Sequence, residues 1–98
     1  MSNISLNTAT DGEVMRMLGE RLRGLRESQG LTMSLAADEA GLARRTVYRA
    51  EQGQNPTLET VVRLLRLYGR INALAEFAPE PEASPMALIR RAGTRARG

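Results

Sequence analysis

Four glycines, at positions 30, 41, 53 and 69, set the tightest limit on what this chain can fold into. Each stands just past a stretch with the apolar spacing of a helix, where a left-handed residue most easily closes the last turn. After the first, the stretches they close are short. The middle of the chain is therefore a series of short helices joined by tight turns, and the fold class is all-α.

Thr10-Asp11-Gly12-Glu13 has the form of a capping box, a hydroxyl three residues ahead of a glutamate. A first helix runs from it to about Gln29, with Val14, Leu18, Leu22 and Leu25 at helical spacing. Gly19 and Gly24 inside it each cost about 1 kcal/mol, which predicts that its first half frays or starts late. Thr32 caps a second helix, Met33 to about Ala40. A short gap leads to a third, Arg44 to about Gln52. A fourth follows Asn55-Pro56, with Thr57 as N-cap and Leu58, Val61, Val62, Leu65 and Tyr68 as its expected buried stripe. A short fifth, about Ile71 to Phe77, carries Ile71, Leu74 and Phe77. Residues 78–85 (APEPEASP) form a Pro/acid linker that cannot be helical throughout. Ser84-Pro85 then places an N-cap before an N1 proline, allowing one or two turns from Met86 to Arg91. Gly93 to Gly98 is expected to be disordered. The division is a flexible arm over 1–10, a helical domain over 11–77, and a linker with a basic tail over 78–98.

A length of 98 residues fits one domain. With one Phe, two Tyr and no Trp, its core must come from Leu, Val, Ile, Ala and Met, and dimerisation would add to so small a core. The absence of Cys and His excludes disulfides, thiol chemistry and His-based catalysis, and leaves no zinc site of the usual kind. No Gly-rich phosphate loop or carboxylate cluster appears either. No enzyme, cofactor or metal is expected. No apolar run approaches the roughly 18 residues of a membrane span, and the start of the chain has no signal-peptide pattern. A cytoplasmic location, with no membrane partner, is the expectation.

The net charge of +3 is unevenly laid out. Residues 44–70 hold six Arg against two acids, and residues 86–98 hold four Arg and no acid. Between them, residues 71–85 hold three acids and no base. All 14 basic residues are Arg. Any phosphate or guanine contact is therefore made by a planar group able to bind bidentately. Arg44, Arg45, Tyr48 and Arg49 share one face of the third helix, with Val47 and Ala50 inward. Arg on a groove-facing surface pairs with guanine O6 and N7, worth about 1–3 kcal/mol of discrimination per contact. The alternative for these arginines is an ordinary solvated helix face.

Two short helices around a glycine turn outline a helix-turn-helix. The ordered series Gly30-Leu31-Thr32, Ala37, Ala40-Gly41-Leu42, Arg44-Arg45-Thr46-Val47, Glu51-Gln52-Gly53 and Asn55-Pro56-Thr57-Leu58 resembles the XRE family of phage Cro and CI repressors. The resemblance covers about Leu18 to Phe77. It implies a five-helix lambda-repressor-like DNA-binding domain, here with a short C-terminal extension. Such domains are usually homodimers on a palindromic operator of double-stranded DNA, with the third helix in the major groove. Carried over residue by residue, it implies base reading by Arg44, Arg45 and Arg49, and base or phosphate contacts by Thr46 and Tyr48. Thr32 heads a helix whose N-terminus suits a phosphate. Gln54 and Asn55 match a backbone-gripping loop. It also implies a structural ion pair between Arg26 and Glu51. Repression, often of the chain's own promoter, is the activity it implies.

Some positions depart from the family's pattern. Met33 occupies a backbone-contacting position often held by Gln. Ala36 and Ala50 replace larger core residues, and Met33 or Leu35 is expected to refill that volume. Ala43 replaces a capping Ser or Thr, so the third helix lacks a side-chain cap, at a cost of roughly 1 kcal/mol. Ile71, Leu74 and Phe77 are core or dimer interface, with the interface preferred. Arg90, Arg91, Arg95 and Arg97 are a solvated tail, a second DNA contact or a docking segment. The rival to a regulator is an antitoxin of the kind paired with HipA-like kinase toxins, binding its toxin partner through residues 84–98. A restriction–modification controller is a further rival.

Overall fold

A computed structural model of the chain describes residues 5–82 and 85–97. Residues 1–4 of the arm, the Ser84 cap and Gly98 lie outside them. Six helices follow in order: α1 Asp11–Ser28, α2 Met33–Ala40, α3 Arg44–Glu51, α4 Leu58–Leu67, α5 Ala73–Phe77 and α6 Pro85–Arg97. No strand occurs among the described residues. No helix among them is long and apolar enough to cross a membrane.

α1 starts at full strength. The Thr10 hydroxyl accepts from the Glu13 N–H at 3.1 Å, and the Thr10 N–H donates to the Glu13 carboxylate at 2.8 Å. The expected fraying does not occur, because Gly19 is a point of contact. A Cβ there would strike the Glu51 carbonyl oxygen and lie 2.9 Å from the Ala50 carbonyl oxygen. Gly53 is equally confined, since its Cβ would lie 2.7 Å from the Met15 carbonyl oxygen. The glycines let the backbones of α1 and the end of α3 touch. The small Ala50, 1% exposed, belongs to the same close crossing and needs no refilling.

Gly41 ends α2 at φ 69°, and the Leu42 N–H donates back to the Ala37 carbonyl at 2.8 Å. This closed turn reverses the chain into α3. Thr32 and Thr57 cap α2 and α4 by accepting from the Leu35 and Thr60 N–H groups, each at 3.1 Å. Ala43 offers α3 no side-chain cap. The core joins Leu22, Ala37, Val47, Ala50, Leu64 and Tyr68. Met33 packs against it, whereas Leu35 is exposed.

Two readings of the sequence need correction. Of the stripe expected on α4, Tyr68 at the C-cap is buried, Val61, Val62 and Leu65 are half-buried, and Leu58 is 67% exposed. The fully buried positions within the helix are instead Thr60 and Leu64. α4 is apolar around much of its circumference, so apolar spacing alone does not select the side facing α2 and α3. The C-terminal residues expected to be disordered also differ, because α6 continues through Arg97. A proline at the first helical position and a majority of good helix formers favour that continuation.

Candidate nucleic-acid interface

The outer face of α3 consists of Arg44, Arg45, Tyr48 and Arg49, all exposed, with Thr46 half-buried beside them. Its inner face is Val47, Ala50 and Glu51, all buried. Eight residues give little over two turns, too few for a helix to persist in water by itself. Its position is set from beneath. Arg26 of α1 donates from Nε to the Glu51 carboxylate at 2.6 Å and from Nη2 at 3.1 Å. Its Nη1 donates to the Leu31 carbonyl at 2.9 Å. One guanidinium thus ties the end of α3 to the α1–α2 connection. Arg26 is 9% exposed and Glu51 5%, so the pair is held away from water. The hydrogen bonds to Glu51 raise the Arg26 pKa above its ordinary value, against the opposing effect of burial.

Tyr68, the C-cap residue of α4, is buried within electrostatic reach of this pair. Its hydroxyl is buried with no hydrogen-bond partner among the described residues. Burial first, and the Glu51 carboxylate second, push its pKa up to about 12, with Arg26 acting in the opposite direction.

The remaining residues singled out by the sequence surround α3. Thr32 is exposed at the start of α2, with its hydroxyl oxygen engaged in the cap. Met33 is half-buried, so its side chain serves the core more than the surface. Gln54 and Asn55 are exposed in the α3–α4 connection. Asn55 adopts φ 48°, a conformation in which asparagine is among the least strained non-glycine residues. The uncapped first turn of α3 lies on the same surface. Its unpaired backbone N–H groups and the positive end of its dipole favour an anion. Ile71 and Leu74 are half-buried and Phe77 is exposed, away from this surface on the α5 side.

Sequence reasoning missed Arg63. It donates to the Ala40 carbonyl at 3.3 Å and pairs with Glu59 at 3.5 Å, which fastens the end of α2 to α4. An arginine four residues after a glutamate was the available signal, but it indicates only a local pair. The roles of Gly19 and Gly53 were also hidden, since glycine inside a helix reads first as a weakness.

A two-helix unit closed by Gly41, its second helix pinned from below and bearing exposed arginines, defines a helix-turn-helix DNA-binding fold. The chain belongs to the helix-turn-helix domain family, whose model matches residues 17–77, and is an XRE-like member of it. It is 38% identical over 65 residues to the HTH-type transcriptional regulator PuuR of Escherichia coli K12, covering 65% of this chain and 34% of that protein. A putative HTH-type transcriptional regulatory protein of Halobacterium salinarum is 36% identical over 61 residues, covering 62% of this chain and 19% of that one. One from Halorubrum lacusprofundi is 31% identical over 85 residues, covering 87% and 23%. The chain thus spans about a third or less of these relatives.

Proposed function

We propose that this chain is a sequence-specific transcriptional regulator that binds a palindromic operator as a homodimer. The observation carrying this reading is the division of α3. Its outer face presents Arg44, Arg45 and Arg49 to solvent, and its inner face is pinned by Val47, Ala50 and the buried Arg26–Glu51 pair. Such a helix meets the major groove as a rigid body with its arginines extended. Bidentate pairing with guanine gives the specificity. Thr46 and Tyr48 take neighbouring bases or phosphates, while Thr32, Gln54 and Asn55, with Met33 beside them, border the phosphate backbone. Ile71, Leu74 and Phe77 supply the dimer face. Two copies place their α3 helices about one helical turn of DNA apart. The relatives named as transcriptional regulators support the same role. We assign it the sign of a repressor acting on its own promoter.

The test is selection of bound sequences, followed by titration of the selected and a scrambled duplex with Arg44→Ala, Arg45→Ala and Arg49→Ala variants. Loss of a guanine contact weakens the selected duplex about 10- to 100-fold while scrambled DNA changes far less. Equal weakening on both duplexes for all three variants overturns the base-reading assignment.

An antitoxin role is a second reading, favoured by one observation. Residues 85–97 form a helix on which Met86, Leu88 and Ile89 are exposed. It requires a stable complex with a purified toxin encoded beside this gene, lost on removal of residues 84–98.

A further inference from the structure

Two apolar surfaces of the chain lie uncovered. The first is a groove of about 650 Å³ between α1, α4 and α5, walled by Leu18 and Leu22, Val61 and Leu65, Leu74 and Phe77. Several of its lining side chains face water: Leu18 is 46% exposed, Leu58 67% and Phe77 68%. This is the side of α4 that the apolar stripe of the sequence marked and that α2 and α3 leave uncovered. The second surface is on α6. Met86, Leu88 and Ile89 are 62%, 57% and 64% exposed, and no residue of α6 with described exposure is buried. Met86 and Ile89 stand three residues apart, and Leu88 and Ala92 four, so they share one side of the helix. A helix of 13 residues is marginal in water without a surface to pack on.

We infer that α6 of one copy lies in the α1–α4–α5 groove of a second copy, and that the exchange is reciprocal. The inference rests on the homodimer reading and deepens it by naming the element that fills the interface. Groove and stripe come from the same chain, so they occur in equal numbers and need no further partner. Exchange about a two-fold axis seats both stripes and closes the assembly, leaving no groove open for further growth. The connection favours exchange over folding back. Residues 78–82 have no regular structure and include Pro79 and Pro81. Each proline fixes its own φ and holds the preceding residue extended. Such a run spans about 3.1 Å per residue as a semi-rigid spacer. It projects α6 outward, in keeping with dimensions of 54 × 30 × 20 Å. With the stripe seated, Arg91 on the far side of α6 stays in water, while Arg90, four residues after Met86, lies at the stripe's edge.

The experiment measures dimer dissociation of the full chain by analytical ultracentrifugation. The double variant Leu88→Glu/Ile89→Glu should raise the dissociation constant at least tenfold. Below the dimer's dissociation constant it should leave the melting of the α1–α4 body unchanged, since within one chain the α6 residues with described exposure face solvent. A parallel variant, Leu74→Ser/Phe77→Ser, reads the α5 face. If it weakens the dimer while the α6 variant does not, dimerisation through α5 stands and the exchange is overturned, leaving the stripe to a foreign protein. If the wild-type chain is monomeric at every concentration tested, both readings fall. Because the chain has no cysteine, disulfide trapping separates exchange from back-folding. Leu58→Cys protein mixed with Ile89→Cys protein should oxidise to a mixed covalent dimer. A Leu58→Cys/Ile89→Cys chain that closes on itself as a covalent monomer overturns the exchange.

Discussion

Arg26 and Glu51 show how a charged pair becomes worth keeping inside a small protein. Separately, either charge would be costly at their depth; together, with the Leu31 carbonyl taking a third N–H, three of the guanidinium's five N–H groups are satisfied. Glu51→Ala strands the guanidinium and should cost about 3–5 kcal/mol. In a domain of this size the melting temperature should fall by roughly 15 °C or more, and an unchanged melting curve would refute the role. Tyr68 gives a different signature. Its pKa lies at about 12 when folded, above its unfolded value near 10. At pH between these values the unfolded chain has lost the proton that the folded chain retains. Its contribution is therefore complete below about pH 10 and is lost as pH rises through 12. Alkaline denaturation monitored by circular dichroism should begin at lower pH in the wild type than in Tyr68→Phe. Tyr68→Phe should also be neutral or slightly stabilising at pH 7, since it removes a buried hydroxyl without a partner.

The helices themselves were largely legible in the sequence, for a local reason. Capping hydroxyls at 10, 32 and 57 and closing glycines act within a few residues of where they stand, so the ends of α1 to α4 follow without knowledge of the fold. Which side of α4 is buried was only partly legible: Tyr68 stood in the expected stripe, whereas Thr60 and Leu64 did not. It depends on which neighbour arrives, and an element apolar on two sides accepts either. Nor was Gly19, because only the crossing of α3 shows that there is no room for a Cβ. Gly19 and Gly24 therefore separate two causes in one helix. Gly24→Ala, where a Cβ meets nothing within 4 Å, should gain up to about 1 kcal/mol from helix propensity. Gly19→Ala pushes on the backbone of α3 and should lose about 1–3 kcal/mol. It should also weaken DNA binding as α3 shifts. Denaturant titration of the two variants checks this, and equal effects would show that the crossing is looser than it looks. The exposed arginine face of α3 was legible from helical spacing; Arg63, whose main contact is more than twenty residues away, was not.

For the whole molecule, the distribution of charge and apolar surface supports the proposed dimer. Arginines gather on α3, an acid-rich stretch follows from Glu76 to Glu82, and the open groove lies on the α5 side. DNA and a second copy can thus be engaged through different surfaces at once. Hydroxyl-radical footprinting on a selected operator should show two protected patches about 10–10.5 base pairs apart, centre to centre. A single protected patch at saturating protein would instead indicate a monomeric complex. Affinity should also fall steeply with salt, as expected where arginines displace condensed cations from the duplex.

The two-sided construction of α3 has a consequence for the history of such proteins. On the proposed reading, nothing that holds the helix in place is also needed to read a base. Positions 44, 45, 48 and 49 can be rewritten without disturbing Val47, Ala50 or Glu51 beneath them. A library randomised at those four positions should keep the parental melting curve while its members scatter across unrelated operators. Duplicated copies of the gene can then diverge in address while inheriting one scaffold.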